Sequence, residues 1–221
     1  EDPVEKIISS ATQVPVNTEK EDRDFASMGR ATLRMDPDVI VLGEMRDEPT
    51  AQVMVRAATT GHLVFSTLHT NSSTGIVTRL ADLGISPLLL GDPNLLVCLI
   101  CQRLAPLLCQ HCALPVEKSK AHQPYLSRWR VEFGAALADF KARGQQSHCE
   151  VCHDLGISGR TVVAEVIWVD DRGRQFIQQR DNFGWENYLR EQGWRSYHER
   201  AVQLVKAGLS DPLDIEKLVG M

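Results

Sequence analysis

Nowhere does the sequence contain Gly-x-x-x-x-Gly-Lys-Ser/Thr, the loop whose backbone N–H groups and lysine cradle the β and γ phosphates of a nucleotide. Strong binding of a nucleoside triphosphate is therefore not expected of these residues alone. Positive charge is also in short supply. A net charge of −5 and a pI near 5.8 remove the general electrostatic reason to bind nucleic acid or an anionic membrane surface. Aromatic residues make up only 6% of the chain and form no basic, aromatic-rich stripe, so no nucleic-acid partner is expected. The longest apolar stretch, Leu88 to Leu104, is broken by Gly91-Asp92-Pro93-Asn94, and its uninterrupted part falls short of the roughly 20 residues that span a bilayer. No transmembrane helix is predicted. Glu1-Asp2-Pro3-Val4-Glu5-Lys6 lacks the basic start and apolar region of a signal peptide and reads as the middle of a domain.

What is present describes a soluble globular protein: 221 residues, 43% hydrophobic and 24% charged, enough for one substantial core or two smaller ones. The six cysteines are unevenly placed in a chain too long for a small disulfide scaffold. They favour a cytosolic metal site.

Along the chain, Phe25, Met28, Thr32 and Met35 fall at helical spacing, and Asp36-Pro37-Asp38 ends the pattern because the residue before proline avoids the helical region. Val39-Ile40-Val41-Leu42 is a continuous apolar run between turn signals, the pattern of a strand covered on both faces in a parallel sheet. A helix is predicted from Glu48-Pro49-Thr50 to Gly61, a strand from Leu63 to Leu68, and a helix capped by Asn71-Ser72-Ser73 and ended by Gly84. Strand, helix, strand, helix is the order of an α/β fold. Leu95-Leu96-Val97-Cys98-Leu99-Ile100-Cys101 reads as an apolar helical run that places Cys98 and Cys101 in a core. From about Phe176 onward the pattern is helical, and within Lys118 to Gln146, to which no function is attached, Trp129 and Phe133 fall at helical spacing.

Glu44 stands at the carboxyl end of the first strand, where ligands of open α/β sheets bind. A carboxylate there can orient or deprotonate an attacking water, or hold a magnesium ion through its waters; the plain alternative is a solvated turn glutamate. The second strand, Thr60-Gly61-His62-Leu63-Val64-Phe65-Ser66-Thr67-Leu68-His69-Thr70, brings His69 to the same edge, with Thr67 and Thr70 beside it. Two strand ends offering Glu44 and His69 to one crevice suit a phosphate-sensing edge better than two unrelated surface residues. Cys109-Gln110-His111-Cys112 and Cys149-Glu150-Val151-Cys152 are two Cys-x-x-Cys knuckles separated by 36 residues. Four thiolates suit tetrahedral zinc, and the metal would tie distant segments together; the alternative is four buried free thiols. His111, His148 and His153 flank the knuckles as possible substitute ligands.

Three segments in order, Glu1-Asp2-Pro3-Val4-Glu5, Asp36-Pro37-Asp38-Val39-Ile40-Val41-Leu42-Gly43-Glu44-Met45-Arg46-Asp47, and Thr60 to Asn71, resemble the aspartate box, Walker B and histidine box of the ATPases that drive type II secretion and type IV pilus assembly. The resemblance implies a RecA-like P-loop NTPase sheet over 1–104, a zinc-binding tetracysteine subdomain over 105–165 and a C-terminal helical part over 166–221. It makes Glu44 the Walker B glutamate that positions magnesium and water, with Gly43 where aspartate is usual, and Glu5 its catalytic partner from the aspartate box. Glu1, Asp2, Arg46 and His69 would line the nucleotide. Arg30, Arg34, Arg46 and Arg79 match family arginines, one of which reaches a neighbouring subunit; the alternative for each is a surface ion pair with a nearby acid such as Asp36, Asp47 or Asp82. Gly156-Ile157-Ser158-Gly159-Arg160-Thr161-Val162 resembles the family's glycine-arginine strand, and Lys118 to Gln146 departs most from the resemblance, as a variable insertion. Cys109, Cys112, Cys149 and Cys152 match the zinc element of assembly and secretion motors, which retraction motors lack. The implied protein is a cytoplasmic ATPase at the bacterial inner membrane, a homo-oligomeric, hexameric ring using ATP, Mg2+ and Zn2+ against an inner-membrane platform protein. The chain would begin just after the phosphate-binding loop and be inactive alone. Two other readings of the residues stand beside it: a zinc-ribbon module that binds a partner, and a non-catalytic ring subunit.

Overall fold

The structure is a computed structural model that describes residues 1–20, 22–144 and 149–220. The chain folds into two compact units, Glu1–Leu99 with Val166–Gln192, and Ile100–Glu165 with Gly193–Met221. The segments read from the sequence break at 104 and 165: the break at 165 coincides with that between Glu165 and Val166, the break at 104 falls five residues after that between Leu99 and Ile100, and the helical stretch 166–221 is shared between the units.

In the first unit, α1 (Phe25–Thr32) starts at Asp24, whose carboxylate accepts the Ser27 N–H, and runs through a 3-10 turn, Leu33–Met35, to Asp36 in the left-handed region at φ 53°. β1 (Val39–Leu42) follows, then α2 (Glu48–Thr59), capped by Asp47 with Pro49 in its first turn. β2 (Leu63–Ser66) lies parallel to β1 in the register Val39↔Leu63 to Leu42↔Ser66. α3 (Ser73–Asp82) is capped by Ser72, and α4 (Pro87–Leu90) by Ser86. Ile40 and Leu42 pack with Phe25, Met54 and Ala57, from α1 and α2, and with Val16. Gly29 lets the two helices close up, since a Cβ there would stand 2.8 Å from Met54 Cε.

The expectation of a strand covered on both faces is corrected. Val39, Val41, Leu63 and Phe65, on the other face of β1 and β2, remain 50–69% exposed. The apolar run is continuous, but α1 and α2 lie on only one side of it.

β3 (Cys98–Leu108) is a strand paired with β6 (Ile157–Trp168). The Val169 N–H bonds to Val97 C=O at one end of the pair and the Cys109 N–H to Gly156 C=O at the other, so the strands run antiparallel. This corrects the helix read at Leu95–Cys101. Leu99, Cys101 and Ala105 are buried while Ile100 and Leu104 are exposed, a period of two that seven consecutive apolar residues concealed. Cys101 is a core residue, as expected, and Cys98 is half-buried.

The first unit is completed by α6 (Asp171–Gln179) and α7 (Asn182–Glu191). The second contains β4 (Leu114–Pro115) paired antiparallel with β5 (Lys141–Ala142), α5 (Leu126–Phe133), and the last helices α8 (Tyr197–Lys206) and α9 (Pro212–Val219). Its core is built on Trp129, fully buried among Phe140, Ala142, Val163, Ala201 and Ile215. The insertion thus supplies the centre of this unit's packing. Trp129 Nε1–H donates to Glu216 Oε1 at 2.8 Å, which satisfies the one polar atom of the ring. No helix among the described residues is long and apolar enough to cross a membrane.

Candidate functional site

β1 and β2 are parallel and end level with one another, so whatever follows Leu42 and Ser66 meets at one edge. Glu44 follows β1. Its Oε2 accepts from Arg46 Nε and Nη2, both at 2.7 Å, and its Oε1 lies 2.9 Å from His69 Nε2. The glutamate side chain is only 15% exposed, whereas Arg46 is 57% and His69 89% exposed. A mostly covered carboxylate is therefore held by two groups that reach it from solvent, and such contacts contribute under about 1 kcal/mol each. Thr67 joins the two strand ends: its Oγ1–H donates to Gly43 C=O at 2.6 Å, and its own C=O accepts the Met45 N–H at 3.0 Å. Arg79 on α3 donates to the Arg46 C=O at 3.4 Å.

Three sequence-predicted residues, Glu44, Arg46 and His69, thus come together. Glu1 lies alongside, its Cα 3.7 Å from where a Gly43 Cβ would stand, but its carboxylate accepts from Gln13 Nε2 at 3.0 Å. Asp2 accepts from Thr18 Oγ1 at 3.3 Å. Glu5 is exposed, and no hydrogen bond or ion pair among the described residues joins it to Glu44. His62 sits at the other end of β2, where its Nδ1 meets the Ala57 C=O at 2.9 Å and finishes α2. Arg30 donates to Ser27 Oγ at 2.9 Å, whereas Arg46 forms an ion pair with a nearby acid, Glu44, the plain alternative for that arginine. The Arg46–Glu44 pairing had a signal, a cation two positions after a carboxylate in a turn. The Thr67 clasp had none, because it spans 24 positions.

In the second unit the four knuckle thiols converge. Cys109, Cys112, Cys149 and Cys152 are all buried and their Sγ atoms lie within 4.8 Å of one another, with Cys109–Cys149 at 3.9 Å and Cys112–Cys152 at 3.7 Å. A tetrahedral ion with thiolate arms of about 2.3 Å needs sulfur–sulfur edges of about 3.8 Å, so the donor set fits that geometry. Each knuckle is shaped by its backbone. Ala113 N–H bonds Cys109 C=O at 2.9 Å, His153 N–H bonds Cys149 C=O at 2.8 Å, and Asp154 Oδ1 accepts the Cys149 N–H at 2.8 Å. Gly144 lies against the first knuckle so closely that a Cβ there would stand 2.0 Å from Cys112 C=O. Burial and the neighbouring thiols push the Cys112 thiol up to about 12, whereas the Cys152 N–H and His111 draw Cys149 down to about 6. His111 Nδ1 is 3.6 Å from Cys149 Sγ and supports that thiolate from outside the set. His148, the other flanking histidine before the second knuckle, lies outside the described residues.

Residues 1–217 match the family described as type II/IV secretion system protein. Over 177 residues the chain is 44% identical to type II secretion system protein E of Pseudomonas aeruginosa, a span covering 80% of this chain and 33% of that protein. It is 42% identical over 177 residues to type II secretion system ATPase E of Vibrio cholerae, with the same coverage of 80% and 33%. The chain spans about a third of the length of these curated relatives. Among solved structures it superposes on the pilus retraction motor PilT with bound ADP at a TM-score of 0.66 and 25% identity, covering 99% of this chain and 50% of that one. The Legionella pneumophila ATPase DotB gives 0.63 at 17% identity, with coverage of 99% and 50%, a likeness of fold alone.

Proposed function

The chain belongs to the type II/IV secretion system protein family, and we propose that it is the C-terminal portion of an ATP-hydrolysing motor subunit that powers type II secretion or type IV pilus assembly. The observation that carries this reading is Glu44, covered and held between Arg46 and His69 where two parallel strands end together. A carboxylate so placed can accept a proton from an attacking water or orient it in line with a phosphoryl group. Arg46 and His69, both exposed, are the groups that can turn from Glu44 to phosphate oxygens as negative charge builds there. A bound magnesium ion would neutralise the phosphates, with Glu44 the residue to hold it through water. Glu1 and Asp2 would border this edge, and Glu5 would reach it on rearrangement of its exposed segment.

These residues lack the phosphate-cradling loop, so we assign them the water-activating edge and expect no ATP hydrolysis from them in isolation. In that division 1–104 carry the edge, 105–165 the metal subdomain and 166–221 the helices. Zinc is the ion best suited to the four buried thiolates. By the family reading the working form is a hexameric ring in the cytoplasm, pressed against a platform protein of the inner membrane, with no nucleic acid involved. The two relatives described above, 44% and 42% identical, are named for type II secretion, which favours that system over the pilus. A second reading, a metal-stabilised module that binds a protein partner, is favoured by Val151 and Leu155, both exposed at the second knuckle.

The test is Glu44→Gln in the full-length protein. Loss of ATP turnover with retained fold and nucleotide binding is expected; wild-type turnover would overturn the assignment.

A further inference from the structure

Glu44 works through the direction in which it points, and two peptide units set that direction. The Gly43–Glu44 peptide carries the Gly43 C=O, and the Glu44–Met45 peptide carries the Met45 N–H. Both are bonded to one residue, the first to the Thr67 hydroxyl at 2.6 Å and the second to the Thr67 carbonyl at 3.0 Å. Peptide units are planar, so fixing one on each side of the Glu44 Cα fixes its φ and ψ and with them the Cα–Cβ vector. The remaining side-chain torsions are taken up by Arg46 on one carboxylate oxygen and His69 on the other. The β1–β2 ladder stops at Leu42↔Ser66, and beyond it Thr67 holds the chain on both sides of Glu44, its hydroxyl on Gly43 and its carbonyl on Met45. Threonine suits the task because its branched Cβ restricts χ1 and aims the hydroxyl in advance. Valine has the same shape and no donor.

We propose that Thr67 is a positioning residue that aims the Glu44 carboxylate for the water-activating step; the inference rests on the reading of Glu44 given above. Thr67 touches neither water nor phosphate in this role and acts only through the backbone of Gly43, Glu44 and Met45.

The experiment is steady-state ATP hydrolysis by the full-length protein carrying Thr67→Val, Thr67→Ser, Glu44→Gln, or Thr67→Val with Glu44→Gln. Thr67→Val should lower kcat about ten- to a hundredfold with KM within about twofold, the scale expected when a catalytic group is misplaced by about 1 Å. Thr67→Ser, which keeps the donor, should stay within about threefold of wild type, and the valine should cost nothing further once Glu44 is glutamine. A merely structural threonine would lower the melting temperature and affect both backgrounds equally. Should the valine variant fail to fold, as read by circular dichroism, Thr67→Ala removes the same donor without the branch, and the same loss is expected. Wild-type kcat in Thr67→Val or Thr67→Ala, or an undiminished effect in the Glu44→Gln background, overturns this inference while leaving the role of Glu44 intact. Wild-type turnover in Glu44→Gln overturns both.

Discussion

His122 and Asp211 stand 89 positions apart in the chain and 2.8 Å apart in the fold, with both side chains about 95% buried. His122 Nε2 faces Asp211 Oδ1, and Nδ1 meets Ser119 Oγ at 2.7 Å, so every polar atom of the imidazole is satisfied. Asp211 also accepts the Arg143 N–H at 2.9 Å and the Leu213 N–H at 2.9 Å, the latter at the start of α9. The pair pins the insertion to the last helix.

That pin makes the second unit sensitive to acid. Burial opposes the Asp211 charge, but the bonds from His122, Arg143 and Leu213 outweigh it and hold the carboxyl below its ordinary value. A carboxyl depressed in the folded state contributes stability that is present above the ordinary value of about 3.9 and lost as pH falls through the folded value. Thermal melts between about pH 3 and pH 6 should therefore show the wild type losing stability below about pH 4. Asp211→Asn should be less stable than wild type at neutral pH, by about 3 kcal/mol, with a flatter acid limb.

Removing the zinc proposed for the tetracysteine set, by a chelator or by Cys149→Ser, should loosen the second unit by several kcal/mol, because the energy of binding such an ion is folding energy. The Cys112 thiol must lose its proton to bind, so protons compete with the metal and affinity should fall as the solution is acidified. Zinc content against pH, with melting curves alongside, measures both effects.

Gly144→Ala should damage the metal set without touching a thiol. Its added methyl would meet the Cys112 carbonyl at 2.0 Å, a clash that only a shift of the first knuckle relieves. Expected are a loss of about 2 kcal/mol or more and reduced zinc stoichiometry, measured by denaturation and metal analysis.

Arg46→Ala should separate function from stability. The residue is 57% exposed, so melting should move by less than the equivalent of about 1 kcal/mol. ATP turnover of the full-length protein should fall at least about tenfold if Arg46 answers phosphate charge, as an electrostatic stabiliser does. Unchanged turnover would leave Arg46 a partner of Glu44 and nothing more.

Much of this was written locally. The run Val39–Leu42 between turn residues, the proline-led helix after it, and the second apolar strand fix an α/β order from neighbours within a few positions. That order alone puts Glu44 and His69 at one edge, and each Cys-x-x-Cys spacing places two thiols only three positions apart in the chain. What the sequence left open was which face and which partner. Seven apolar residues at Leu95–Cys101 satisfy a helix and a strand equally, and pairing with β6 decides for the strand. Four similar amphipathic helices close the chain, yet α6 and α7 join one unit and α8 and α9 the other. The Thr67 clasp across 24 positions and the His122–Asp211 pin across 89 follow the same rule. Sequence periodicity records the conformation of a segment, whereas a hydrogen bond between residues distant in the chain exists only once folding has brought them within about 3 Å.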